Sequence, residues 1–241
     1  YNPNSGVLTT TSVTGNLTVS GNTTEEWSAP ATFRQLNIGD IYYNADPSSG
    51  VLKYVGKPMS GGTWASAGNL NTVRTELSGS KGGTQSATIA FGGYPPAPSR
   101  LAITESYDGS SWTEEDDLNT GRQNLGGGGV QTAALAFAGE TVAITESWDG
   151  SSWTEVGDMN TGRRQVGCSS FSRTSSSALV FGGEAHPPGT NDAETEAWDG
   201  TAWTEVADLS TARAAMGHLG TASSAVCAGG EGLSAATEEW N

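Results

Sequence analysis

Hydrophobic positions along this chain alternate with polar ones in short runs, and no stretch keeps the spacing of an amphipathic helix. The runs "AALAFAG" (133–139) and "SALVFGG" (177–183) are apolar and end in glycine, as short buried strands do. "AITESWD" (143–149) and "SWTEVGD" (152–158) alternate and predict half-buried strands. The Asp-Gly between them predicts a hairpin, because a tight turn demands a positive φ that Asp-Gly tolerates.

The same pattern returns along the chain. "TESWDGSSWTEVGDMNTGR" (145–163) follows "TESYDGSSWTEEDDLNTGR" (104–122) and precedes "TEAWDGTAWTEVADLSTAR" (195–213). A worn copy, "GGTWASAGNLNTVR", ends at Arg74. Trp64, Trp112, Trp153 and Trp203 hold one position, spaced by 48, 41 and 50 residues on subtraction. Tyr107, Trp148 and Trp198 precede the last three by five residues, and Arg74, Arg122, Arg163 and Arg213 close the phrase. A glycine landmark reads "AFGG" (90–93), "AFAG" (136–139), "VFGG" (180–183) and "CAGG" (227–230).

A period of about 40 to 50 residues is that of one four-stranded blade, so the expected fold is an all-β propeller. Strand a follows the Arg ("LGGGGV", "MGHLGT"), strand b is the apolar run, and strands c and d flank the Asp-Gly turn. Gly79, Gly127, Cys168 and His218 align on strand a, where inner strands crowd and small residues suit. Leu77, Leu125, Val166 and Met216 align two residues earlier, as a period-2 strand requires. The repeat tryptophans and arginines are read as structural, the aromatics filling the space between neighbouring blades.

The order Arg, Gly-Gly, aromatic, Trp resembles kelch repeats over about residues 60–241. It departs from WD repeats, since no Gly-His precedes Trp148-Asp149. Ahead of it, "TSVTGNLTVSGNTT" (11–24) alternates β-branched and small polar residues, and "IGDIYYNADPSSGVLKYVG" (38–56) reads as strand, turn, strand. The "GDIYYN…GVLKYV…GTW" order resembles fibre-like virion appendages of marine bacteriophages. Residues 1–37 are expected to form a fibre-like β segment and linker. Residues 38–241 are expected to form the propeller, in blades of about 38–72, 73–120, 121–161, 162–211 and a partial 212–241. Pairing 214–241 with the d-type segment "GTWASAGNL" would make four blades; a partial blade over 39–70 would make five, and further sequence could supply more. The chain starts at Tyr1 and stops inside the motif at "TEEWN", and so reads as a piece of a longer or processed polypeptide.

A net charge of −15 disfavours nucleic acid and anionic membrane surfaces. No apolar run is long enough to span a membrane as a helix. Gly is abundant at 34 residues, hydrophobic residues make up 35%, and lysine nearly vanishes from the second half, a composition that suits turns and short strands. The acidic run Glu114, Glu115, Asp116, Asp117 reads as a solvated strand edge rather than a calcium site.

No catalytic set emerges. Kelch propellers include copper oxidases resembling galactose oxidase, whose site needs two His and two Tyr; here only His186 and His218 exist, one in a loop and one on an inner strand. Cys168 and Cys227 lack the paired spacing of zinc ligands or a disulfide framework. "DGSSW" resembles the sialidase Asp-box in part, with an Asp-to-Gly spacing one residue too short. The four repeat arginines, each at the end of one repeated phrase, are expected to bond loop carbonyls or acids of an adjoining blade. No nucleophile elbow or phosphate-binding loop occurs. The chain is expected to be no enzyme, with no cofactor and no metal site.

The repeats differ where strand b meets strand c: "GGYPPAPSRLA" (92–102), "AGETVA" (138–143), "GGEAHPPGTNDAE" (182–194) and "GGEGLSAA" (229–236). Varied loops on a uniform scaffold are where repeat folds carry binding. Tyr94, Arg100, His186, Asn191 and Asp192 are the candidate ligand-binding residues. The resemblance implies an extracellular virion protein, a tail fibre or appendage. Its propeller would contact a host cell-surface glycan or protein, and its other partners would be virion proteins and further copies of itself in a fibre, with neither nucleic acid nor membrane insertion. The alternatives are a cell-surface carbohydrate-binding adhesin and a secreted propeller-type carbohydrate-active enzyme.

Overall fold

The computed structural model describes residues 63–96, 99–140, 142–169, 175–185, 189–231 and 234–241, and the backbone of 41–44 and 51–54. The chain divides into two compact units, 1–64 and 65–241. In the first, β1 (Ile41–Asn44) and β2 (Val51–Tyr54) pair antiparallel, Ile41 opposite Tyr54. The expected segment at 1–37 lies outside the described residues.

The second unit is all-β, four antiparallel sheets arranged as a four-blade propeller. Blade 1 holds β3 (Ser78–Gly79), β4 (Thr88–Phe91), β5 (Thr104–Tyr107) and β6 (Trp112–Glu114). Blade 2 holds β7 (Gly126–Val130), β8 (Ala133–Phe137), β9 (Thr145–Trp148) and β10 (Trp153–Glu155). Blade 3 opens with two short pieces, β11 (Arg163–Arg164) and β12 (Gly167–Ser169), and continues through β13 (Ala178–Ala185), β14 (Thr190–Trp198) and β15 (Trp203–Glu205). Blade 4 has three strands, β16 (Gly217–Thr221), β17 (Ser224–Ala228) and β18 (Thr237–Trp240). Neighbouring strands follow one another in sequence as antiparallel hairpins, with β11 and β12 of blade 3 both pairing with β13.

The register explains the glycines of strand a. Gly126 lies opposite Phe137, and a methyl added there would stand 2.2 Å from the ring. Gly167 meets Phe181 and Ser78 meets Phe91 in the same way. Where blade 4 has Ala228 instead of Phe, Gly217 has open space beside it apart from one backbone oxygen. Each large aromatic on strand b thus lies against a missing or small side chain on strand a.

The outer strands of blades 2 and 3 each close the core of the blade before them. Trp153 of blade 2 meets Phe91 of blade 1 edge-on at 4.9 Å, and Trp203 of blade 3 meets Phe137 of blade 2 at 5.1 Å. Within a blade, Trp148 pairs across the ladder with Trp153, and Trp198 with Trp203. Of the residues aligned two positions before Gly79, Gly127, Cys168 and His218, Leu125, Val166 and Met216 are buried in the core and Leu77 is half-buried.

Two expectations need correction. Trp64 does not play the part of Trp153: its side chain is fully exposed, and residues 63–70 form no strand. An outer strand is held by the strand c that precedes it, as β9 holds β10, and no described strand stands in that relation to Trp64. The varied connection of blade 3 is largely not a loop. Past a bulge between Phe181 and Gly183, β13 and β14 continue as a ladder that places Asn191 opposite Glu184 and Asp192 opposite Gly183.

Candidate functional site

The four b–c connections leave the same end of their blades as the repeat arginines. Each begins with a turn of positive φ, at Gly92–Gly93, Ala138–Gly139, Gly182–Gly183 and Gly229–Gly230. In blades 1 to 3 the second residue of the turn docks on the next blade: Gly93 N donates to Arg122 O at 2.8 Å, Gly139 N to Arg163 O at 2.7 Å, and Gly183 N to Arg213 O at 2.9 Å.

Nearer the axis, Glu76, Asn124, Gln165 and Ala215 share a left-handed conformation, φ between 51 and 57°. Their backbones link blade to blade. Asn124 N donates to Glu76 O, Gln165 N to Asn124 O, and Ala215 N to Gln165 O, each at 3.0 Å. Four unlike residue types share this role, so it left no trace in the repeat pattern.

The repeat arginines are buried and ion-paired. Arg122 Nη2 donates to Glu146 Oε1 at 2.8 Å, while its Nη1 donates to the carbonyls of Ile144 at 2.6 Å and Ala138 at 3.1 Å. Arg74 with Glu105 at 2.6 Å, Arg163 with Glu196 at 2.8 Å and Arg213 with Glu238 repeat the pair. The same carboxylates also accept a backbone N–H from the incoming segment, Asn71, Asn119, Asn160 or Ser210, each at 2.7 Å. Burial lowers the Arg122 pKa from its ordinary value, with Glu146 opposing.

Around this scaffold lie the groups that differ between blades. Tyr94 is 37% exposed and pairs by backbone with Thr75, Tyr94 N donating to Thr75 O at 2.7 Å. Arg100 forms an ion pair with Glu140 on the next blade's connection and keeps about half its side chain exposed. Arg164 makes a two-pronged pair with Glu184 at 2.9 and 3.0 Å, and Glu184, with Glu140 and Glu76 further away, raises the Arg164 pKa. Asp192 faces inward: its Oδ1 accepts Glu194 N at 3.0 Å, its carbonyl accepts Arg213 N at 3.0 Å, and its Oδ2 lies 3.9 Å from Arg163 Nε. Asn191 is half-buried on β14. His186 lies outside the described residues. The structure therefore joins Arg100 to Glu140, and Asp192 to the scaffold. No hydrogen bond or ion pair among the described residues joins Tyr94 or Arg100 to Asn191 or Asp192. Glu76, Glu140, Arg164 and Glu184 belong to this face and were missed, being charged residues without a repeat signal.

The opposite end carries the uniform turns. Asp108 Oδ1 accepts Ser110 N, Ser110 Oγ and Ser111 N, each at 2.8 Å, and Asp149 and Asp199 do the same in their blades. These bonds hold the Asp108 carboxyl at about 2. Of the acidic run, Glu115 accepts Ser106 Oγ at 2.6 Å and Asp117 accepts Thr104 N at 3.2 Å.

One further cluster, unforeseen, lies on the axis. Lys81 Nζ is 2.8 Å from Cys168 Sγ and 2.8 Å from His218 Nε2. Among the described residues, no group of three or more His, Cys, Asp or Glu is placed to hold a metal ion.

The fold is thus that of a β-propeller. No protein-family model matches the sequence. No curated protein matches it either.

Proposed function

We propose that this chain is a non-catalytic recognition module of the kelch-like kind, carried on a bacteriophage tail fibre or virion appendage. Its b–c face would contact a glycan or protein on the host surface. One observation carries the reading: on the b–c face, the arginine and glutamate repeated in every blade are engaged by the scaffold, while the solvent-facing polar groups there are peculiar to single blades. The arginines and glutamates that could suggest a hydrolase neutralise one another in the dry interior, and the repeated aspartates cap their own turns. Tyr94, the Arg100–Glu140 pair and the Arg164–Glu184 pair remain on one face. An aromatic with several planar hydrogen-bonding groups suits a sugar or a polar peptide surface.

The test is a double graft. Residues 94–100 and 184–191 are replaced by short Gly-Ser links, leaving Gly92, Gly93, Gly182, Gly183 and Asp192 to hold the blades. The melting temperature should stay within a few degrees of wild type, and adsorption to host cells should be lost. Adsorption that survives in the folded graft would make the propeller a spacer and place recognition elsewhere.

A further inference from the structure

Lys81 is the sole lysine from residue 58 onward in a strongly acidic chain. Surface electrostatics would place it anywhere on the outside. Instead it extends from the turn between β3 and β4 of blade 1 to the inner strands of blades 3 and 4. There its Nζ donates to Cys168 Sγ at 2.8 Å and to the Cys168 carbonyl at 3.4 Å. His218 Nδ1 faces the Met216 carbonyl at 3.1 Å, which accepts only, so Nδ1 carries the proton and Nε2 offers its lone pair to Lys81 at 2.8 Å. Gly79 and Gly127, at the aligned positions of blades 1 and 2, carry no side chain to fill the axis. Cys168 is 2% exposed, while Lys81 and His218 are both partly exposed. Partly exposed polar groups therefore stand between the surface and the sulfur, where a small neutral oxidant would approach.

Burial alone would push the Cys168 thiol up, but the Lys81 ammonium 2.8 Å away opposes it and the pKa is lowered. Cys227 gives the contrast within the same fold: burial raises its pKa. The two cysteines are thus shifted in opposite directions, Lys81 favouring the thiolate of Cys168 and burial the thiol of Cys227.

We propose that Cys168 and Lys81 form a peroxide-driven, reductant-reversible covalent cross-link, Sγ to Nζ, across the propeller axis. The thiolate sulfur attacks one oxygen of hydrogen peroxide. An S–O bond forms, the O–O bond breaks, and the departing hydroxide takes a proton from the Lys81 ammonium to give water. The neutral Lys81 amine, oriented by His218 Nε2, attacks the sulfenic sulfur. The S–N bond forms, the S–O bond breaks, and hydroxide leaves and removes a proton from nitrogen as a second water. Sulfur loses two electrons and peroxide gains them. The link joins residues 87 apart in sequence and ties blade 1 to blade 3.

The test exposes the full chain to hydrogen peroxide near pH 7 and reads intact mass and tryptic peptides. The expected product is lighter than the starting chain by two hydrogens. Trypsin no longer cuts after Lys81, the 75–100 segment stays joined to the 165–173 peptide, and dithiothreitol restores both. The linked form melts at higher temperature. Lys81→Arg keeps the charge but gives only oxygen-added Cys168, and Cys168→Ser gives no lighter species. The proposal fails if wild type accumulates sulfinic acid at Cys168 with Lys81 still cleavable. It also fails if Cys227 oxidises as fast as Cys168, or if Cys168→Ser still yields the lighter product.

Discussion

The indole N–H of Trp153 donates to Thr104 Oγ1 at 2.9 Å, a bond from the outer strand of blade 2 to the third strand of blade 1. The same ring lies against Phe91 and tilts on Trp148 at 5.4 Å, so a single side chain closes two cores. Trp153→Ala removes the lid between two blades. It should cost about 3–5 kcal/mol in denaturant melts, as other buried large-to-small changes do. A loss below about 1 kcal/mol would mean that the indole is solvated in solution.

Glu146 accepts from Arg122 Nη2, Asn119 N and Asn119 Nδ2, all inside the protein. Glu146→Ala leaves a buried guanidinium without its counter-ion, which should cost about 3–5 kcal/mol. Adding Arg122→Met to that variant should recover part of the loss, because the stranded charge goes with it. A double-mutant cycle measures this. Strictly additive losses would show that the two side chains do not act as a pair.

Much of this arrangement was legible in the sequence because the repeat is spelled in side chains that pack. Trp153, Trp203, Phe137 and the Asp-Gly turns recur as letters, and their recurrence fixes blades, strand order and hairpins. What could not be read is carried by backbone or by single blades. The left-handed residues Glu76, Asn124, Gln165 and Ala215 do one job with four side chains. The Glu184–Asn191 ladder is one blade's extension beyond its glycine bulge, with no second copy to reveal it. Trp64 shows the converse: the letter matches, but among the described residues no strand stands beside it to bury it. Lys81 left a compositional mark, a lone lysine in an acidic repeat, but not its destination on the axis.

The turn aspartates make stability sensitive to acid. Asp108 has a pKa of about 2 against an ordinary 3.8, through backbone and side-chain hydrogen bonds from Ser111 and Ser110, and those of Asp149 and Asp199 are lowered by the equivalent bonds. A carboxylate that ionises more readily folded than unfolded stabilises the fold above its unfolded pKa. That contribution is complete above about pH 4 and is lost as pH falls toward 2. Asp108→Asn should therefore melt below wild type at pH 7 and close to it at pH 2. A gap of equal size at both pH values would show that the charge contributes nothing.

Ala138 stands at a turn position that is glycine in the other three blades, with φ of 61°. A side chain in the left-handed region costs about 1–2 kcal/mol. Ala138→Gly should raise stability by about 1 kcal/mol, reduced by the extra freedom glycine gives the unfolded chain. Gly182→Ala should cost more than Ala138→Gly gains, because the added methyl would lie 2.5 Å from the Arg213 carbonyl oxygen. Equilibrium unfolding of both variants decides it, and a destabilised Ala138→Gly would contradict the turn geometry.

Thr104, Thr145 and Thr195 occupy one position in three consecutive blades, and the structure treats the third differently. Thr104 Oγ1 accepts the indole of Trp153, and Thr145 Oγ1 accepts that of Trp203, both at 2.9 Å. Among the described residues blade 4 has only three strands, and the place of the next indole beside Thr195 is an open cleft lined by Leu179, Phe181, Leu209, Ala225 and Trp240. Among the described residues, no donor reaches Thr195 Oγ1. Thr→Val keeps the shape and removes the acceptor. At 104 and 145 it strands a buried indole N–H and should cost about 1–3 kcal/mol. At 195 no donor is stranded, and Thr195→Val should leave the unfolding free energy within about 0.5 kcal/mol of wild type. The three variants share one chemistry and differ only in whether an outer strand covers them, so general effects of the substitution cancel. A loss at 195 equal to the other two would mean that a tryptophan-bearing strand fills the cleft in solution.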